Sequence, residues 1–240
     1  MSRKPLTERG LMDVDIWSDI ACPWCYVGKR HLEAALEGFE HRDQVNVTWH
    51  SFELDPQAPA EREGEHASNL ARKYGTSREQ ALEMLAGMTD VAAADGLEFH
   101  FERARSGNTF DGHRLIHLAL AHGCQDAMKE RLMRAYLTEG ELISDHATLR
   151  RLALEVGLPE DGVEELLAGD AYAEEVRVDE YTASRLGISA VPFFVIDRSL
   201  GAAGAQPAEQ LLELLRRGWE ARSPHTLATA AGESCGAEGC

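Results

Sequence analysis

The sequence predicts an α/β domain whose sheet is interrupted by a long helical insertion. Three observations carry that prediction. The chain opens on a strand–helix–strand pattern with a Cys-x-x-Cys, Cys22-Pro23-Trp24-Cys25, at the first strand–helix junction. From about residue 60 to residue 186 it then reads as helices punctuated by glycine. A dense apolar run, Val191 to Ile196, followed by an amphipathic helix, restores the opening pattern.

Each element has a local reason. Val14 to Ile20 is apolar enough for a buried strand, and Tyr26 to Phe39 carries helical periodicity. Pro23 suits the first helical turn, where an N–H would have no intrahelical partner. Gln44 to Leu54 alternates Val45, Val47 and Trp49 as a second strand. In the middle, Thr76 with Glu79 has the spacing of a capping box. Gly96, Gly123, Gly140, Gly157 and Gly187 read as helix stops. Ser144 or Asp145 is expected to cap the helix running to Val156, and Pro159 to open the next, giving about seven short helices. Leu97 to Phe101 is expected to be a short strand or an extended connection. Behind Val191–Ile196, Asp197 and Gly201 to Gly204 read as turn residues. Pro192 lacks a ladder donor, so it belongs at the very start of its strand, where a cis bond after Val191 is admissible. In the last helix Leu211, Leu212, Leu214, Leu215 and Trp219 share one side.

Composition narrows the function classes. The 240 residues, 44% of them hydrophobic, are enough for one large domain with an insertion. Lys and Arg number 24 against 41 Asp and Glu, a net charge of −17. That charge argues against nucleic acid and anionic membranes as partners. Met1 to Gly10 is polar and lacks the apolar core of a signal peptide. No run approaches the roughly 20 apolar residues of a membrane span. The expected compartment is the cytoplasm, where thiols stay reduced, so five cysteines point to redox or metal chemistry rather than a disulfide scaffold.

The position of the Cys-x-x-Cys defines its chemistry. A cysteine at a helix N-terminus faces free backbone N–H groups and the positive end of the helix dipole. Both favour the thiolate, the form that attacks disulfides. A second cysteine three residues on can resolve the mixed disulfide. Cys22, Cys25, Cys235 and Cys240 also have spacings that zinc accepts. The strand–helix junction and the intervening Pro23-Trp24 favour exchange chemistry, so no metal is expected.

The assembled motifs resemble the DsbA superfamily of thioredoxin-fold proteins. More narrowly they resemble its FrnE-like branch, near the 2-hydroxychromene-2-carboxylate isomerases and kappa-class glutathione transferases. The resemblance rests on Ser18 to Gly28, Phe52 to Pro56, Asn108 to Leu115, Gly187 to Phe194 and Gly204 to Pro207, in that order. It spans roughly residues 12 to 222. It implies a thioredoxin fold from residues 12–58 and 187–222, a helical insertion over 59–186, and a flexible tail over 223–240. It implies that Cys22 is an exposed nucleophile and Cys25 a more buried resolving thiol. Pro192 would be the cis-proline facing them, with the Val191 backbone pairing with substrate. The activity implied is oxidation, reduction or isomerisation of protein or peptide disulfides. No prosthetic group is required, and glutathione or a cellular thiol reductase can serve as reductant or cosubstrate.

Two departures refine that expectation. Kappa transferases and the isomerases commonly carry serine where this chain has Cys22, which favours exchange over glutathione-dependent isomerisation. The flanking motif is shared, so a glutathione-dependent isomerase or transferase stays as the alternative, with a non-enzymatic zinc-binding module as a second. DsbA has a histidine between its cysteines that helps stabilise the thiolate. Trp24 lacks that charge, which predicts a less acidic nucleophile and a less oxidising couple. Asn108 and His113 are candidate substrate contacts, weighed against helix capping and an ordinary hydrogen-bonded histidine. His117 and His122 are expected to be ordinary helix positions, and Cys124 a buried inert thiol. Cys235 and Cys240, on the glycine-rich tail, are a candidate second dithiol that exchanges electrons with Cys22–Cys25.

Overall fold

The computed structural model describes residues 10–222. Its sheet has four strands in the order β2-β1-β3-β4. β1 (Met12–Ser18) lies parallel to β2 (Val45–Ser51), and the helix α1 (Pro23–Glu37) crosses between them. A parallel pair needs such a crossover. β3 (Phe193–Ile196) then returns antiparallel on the other side of β1, with Trp17 opposite Phe193 and Val14 opposite Ile196. β4 (Leu200–Ala203) closes the sheet as a hairpin with β3. α9 (Ala208–Ala221) packs on α1 and β3. Gly218 allows that approach, because a Cβ there would stand 2.6 Å from Ile196.

Between β2 and β3 the chain forms seven α-helices. α2 (His66–Tyr74) and α3 (Arg78–Ala94) make one antiparallel-connected pair. α4 (Phe110–Ala121), α5 (Gln125–Arg134), α6 (His146–Glu155), α7 (Glu160–Ala168) and α8 (Ala173–Arg185) make a second group. α5 and α8 pack directly on β2. There Trp49 is buried, and the Gln125 amide accepts from the Trp49 N–H at 3.0 Å and donates to its carbonyl at 2.8 Å. One continuous apolar core therefore runs from the sheet into the insertion. Asp145 caps α6 by accepting the Thr148 N–H, and Pro159 stands at the N-cap of α7.

Two local expectations need correction, and one open alternative is decided. The capping box of α3 is Ser77 with Gln80, one residue beyond Thr76 and Glu79. Ser77 Oγ accepts from the Gln80 N–H and Gln80 Oε1 from the Ser77 N–H, while Thr76 hydrogen-bonds the Gln80 side chain from outside. Gly201 to Ala203 lie in a strand rather than a turn. Gly201 fits there because the Phe193 ring would stand 3.2 Å from any Cβ it carried. Leu97 to Phe101 buries alternate residues as a strand would, yet is an extended connection. The His100 N–H finds the Leu137 carbonyl at 2.8 Å, and no ladder follows among the described residues.

Candidate active site

The thiol pair sits where β1 gives way to α1. Cys22 is the N-cap of α1, with extended backbone, Pro23 opens the helix, and the Cys25 N–H donates to the Cys22 carbonyl at 3.0 Å. Both thiols are free. The helix turns Trp24 outward, 47% exposed, and the thiols inward, Cys22 at 5% and Cys25 at 0%. Cys22 is therefore less exposed than its resemblance implied, although it lines an open groove. The Val191–Pro192 bond is cis, and the Cys22 Sγ stands 3.7 Å from the Val191 carbonyl. Gly28, one turn along α1 from Cys25, makes room for this loop. A Cβ at Gly28 would meet Pro192 Cγ at 2.9 Å and Phe194 Cζ at 3.4 Å. The Val191 N–H has no backbone partner among the described residues.

The two thiols are electrostatically unequal. Cys22 is held below the ordinary thiol range, first by the hydrogen bond from the Cys25 thiol and then by the Cys25 and Trp24 N–H groups. Burial and the Asp19 carboxylate oppose that shift without reversing it. Cys25 is pushed well up, chiefly by burial and then by its bond and proximity to Cys22. The pair therefore has one thiol shifted toward its thiolate and one shifted away from it.

Asp19 and His113 lie beneath the pair. Asp19 Oδ2 accepts from the Leu54 N–H at 2.8 Å and Oδ1 from His113 Nε2 at 3.2 Å. Burial pushes the Asp19 carboxyl up, but His113, Leu54 and Lys129 together bring it below its ordinary value. Burial pushes His113 down, against its hydrogen bond to Asp19. Its Nδ1 is buried with no partner among the described residues. His113 is fully enclosed and does not reach the groove, which corrects its reading as a substrate contact. Asn108 takes the capping alternative rather than the substrate contact. Its Oδ1 accepts from the Phe110 N–H at 2.8 Å and its Nδ2 donates to the Ala58 carbonyl at 3.5 Å, so the side chain turns the backbone into α4.

Beside the thiols a groove of about 880 Å³ runs between the sheet end and the α2–α3 pair. Trp24, Leu54, Tyr74, Met84 and Val91 line it and are all at least one-third exposed. Among the described residues no His, Cys, Asp or Glu cluster is arranged to hold a metal ion. Cys235 and Cys240, and with them the second dithiol and half of the zinc set, lie outside the described residues. Cys124 is only partly buried, at the N-cap of α5. His117 is bonded to Asp179 and Ser51 rather than standing as an ordinary helix position.

A free Cys-x-x-Cys at a helix N-terminus, facing a cis-proline on a βαβ–ββα sheet, defines a thioredoxin-fold protein of the thiol-oxidoreductase class. The chain belongs to the DSBA-like thioredoxin domain family, which it matches over residues 13–216. It is similar to a probable DsbA oxidoreductase of Streptomyces coelicolor, at 44% identity over 95% of this chain and 98% of that one, with a TM-score of 0.85. It is 27% identical over 206 residues to the uncharacterized protein YwbO of Bacillus subtilis (strain 168), covering 83% of this chain and 94% of that protein. It also shares its fold with the cytosolic disulfide reductase DsbM of Pseudomonas aeruginosa, solved with glutathione. There the identity is 20%, the coverage 87% of this chain and 99% of that one, and the TM-score 0.62. No helix among the described residues is long and apolar enough to cross a membrane.

Proposed function

We propose that this protein catalyses thiol–disulfide exchange on protein or peptide substrates through Cys22 and Cys25. The observation that carries the reading is the asymmetry of the pair: Cys22 on the groove with a lowered pKa, Cys25 enclosed with a raised one. The Cys22 thiolate attacks one sulfur of a substrate disulfide, and the other sulfur leaves as a thiolate and is protonated. Cys25 then gives up its proton and attacks Cys22 Sγ, which releases the second substrate thiol. One substrate disulfide is thus reduced to two thiols as Cys22–Cys25 is oxidised. The reverse sequence oxidises a substrate dithiol, and partial cycles isomerise.

Glutathione is the proposed small-thiol partner, since DsbM, with the same fold, holds it in its structure. The cytoplasm is the proposed compartment. Cys235 and Cys240 are proposed as a second dithiol in exchange with the first. The test compares insulin reduction and refolding of a scrambled disulfide protein by wild type, Cys22→Ser and a form ending at residue 222. Loss of both activities in Cys22→Ser supports the reading, and activity retained there overturns it. An unchanged rate in the truncated form, with both small-molecule and protein reductants, removes the second dithiol.

A further inference from the structure

The groove beside the thiols differs in charge from the chain that forms it. The protein has 24 basic and 41 acidic residues, a net charge of −17. Arginines of the helical insertion accordingly meet carboxylates. Arg114 pairs with Asp111, Arg131 with Glu155, and Arg62, on the groove itself, with Asp55 at 2.5 Å. Arg72 and Lys73 do not. Both are exposed in the last turn of α2 and line the groove, with no carboxylate within 4.0 Å among the described residues. The other carboxylate on the groove, Asp19, is buried and engaged by the Leu54 N–H and His113 rather than by either cation. A helix C-terminus is a favourable place for positive charge. Lys73 Nζ also stands 5.9 Å from the centre of the Tyr74 ring. Neither contact neutralises the two charges.

These cations adjoin uncovered apolar surface. Trp24 and Leu54 on the sheet side, and Tyr74, Met84 and Val91 on the helical side, leave it open to water, Tyr74 most of all at 59% exposed. Contiguous apolar surface of this kind marks a place where a ligand covers it. Glutathione would bring carboxylates to Arg72 and Lys73 but no apolar side chain to the walls. A peptide with both kinds of side chain satisfies both features. We propose that the preferred substrates are disulfides in acidic, apolar peptide segments. Asp or Glu side chains of the segment meet Arg72 and Lys73, neighbouring apolar side chains cover the groove walls, and the disulfide meets Cys22. This rests on the exchange reading above and names its substrate class. Arg72 and Lys73 are binding residues and take no part in the sulfur chemistry. The acidic remainder of the surface repels such a segment, so the groove is where its charge is accepted.

The test uses the full-length protein, reduced beforehand, and two peptides, Leu-Glu-Cys-Glu-Leu and Leu-Gln-Cys-Gln-Leu. Each is joined through its cysteine to 2-thiopyridine. Cys22 attacks the peptide sulfur, the thiopyridine leaves with the electron pair and is protonated, and Cys25 then releases the peptide thiol. The quantity read is the ratio of second-order rates, acidic over neutral, from thiopyridone absorbance. Wild type is expected to show a ratio about fivefold above that of the double variant Arg72→Gln/Lys73→Gln. That excess should disappear in about 1 M salt. A second double variant, Arg198→Gln/Arg217→Gln, removes the same charge from exposed positions off the groove and should keep the wild-type ratio. Equal ratios in wild type and the groove variant overturn the proposal. So does an equal fall in the distant variant, which would make the effect one of net charge. A wild type no faster than Cys22→Ser with either peptide sinks the exchange reading instead. Dye-labelled peptides with S-methylated cysteine then decide the groove by fluorescence anisotropy. The acidic peptide must bind more tightly than the neutral one and lose that advantage in the groove variant, or the proposal falls.

Discussion

Two polar clusters join the sheet to the helical insertion, and they are built on opposite terms. Away from the thiols, His50 on β2 lies between Asp15 on β1 at 2.8 Å and Asp179 on α8 at 2.7 Å. Asp179 also accepts from the Ser51 N–H at 2.8 Å and from His117 at 3.0 Å. Its own carbonyl takes the Trp17 indole N–H, and the Trp17 ring stacks on His50 at 4.5 Å. At the thiol end, Asp19, His113 and Lys129 are more deeply buried yet less complete. His113 Nδ1 and Ser18 Oγ have no partner there among the described residues, and Lys129 has no carboxylate. A cluster with every charge matched fastens two parts of a fold. The thiol-end cluster instead leaves buried polar atoms unmatched beside the Cys-x-x-Cys, which makes it the less rigidly specified of the two.

Separating these two roles is the sharpest test of the comparison. Asp179→Ala removes the hub of the matched cluster and leaves a protonated His50 with one carboxylate. It is expected to cost about 3–5 kcal/mol in urea unfolding. The Cys22 thiolate midpoint should stay where it is, and a midpoint that moved with stability would show the clusters to be one unit.

A pH series probes the same cluster without mutation. Burial pushes His50 down, but its bonds to Asp15 and Asp179 and their charges raise it to about 9, above its ordinary 6.5. Its contribution to stability is therefore full below about 6.5 and lost as pH rises through about 9, on the order of 3 kcal/mol at most. Unfolding free energy measured between those values should fall with pH in wild type and less steeply in Asp179→Ala. Equal slopes would remove His50 from the account.

The smallest effect belongs to the thiol end. Gly28→Ala places a methyl 2.9 Å from Pro192 Cγ, so the loop carrying Val191 must shift. Overpacking of this kind costs about 1–3 kcal/mol. Insulin reduction should slow by more than the loss of stability explains, since the loop stands beside Cys22. A variant with normal turnover would separate Gly28 from the site.

Much of the thiol end was legible because it is local. The Cys-x-x-Cys announced itself at a strand–helix junction, and Pro192 by its awkward place before an apolar strand. Asp19 carried a fainter sign, as half of a polar pair, Ser18-Asp19, closing an apolar strand just before the thiols. His113 was weighed as a substrate contact or an ordinary hydrogen-bonded histidine, and the structure gives the second, because sequence shows chemistry and not depth. Lys129 carried no sign at all. On α5 it stands beside Glu130 and Arg131, as on a solvated helix face, and only packing against β1 and β2 takes it out of water.

The sequence by itself determined the α/β class, the interrupted order of its elements, most helix ends and the position of the Cys-x-x-Cys. Those follow from periodicity, caps and turns, which act over a few residues. The tertiary structure alone decided that β4 pairs as a strand, that Cys22 is largely covered, that His113 is buried against Asp19, and that Lys129 is buried at the end of β1. Each of these depends on the burial of groups distant in the chain. Burial is also what turns an ordinary thiol, histidine or lysine into one with a shifted charge.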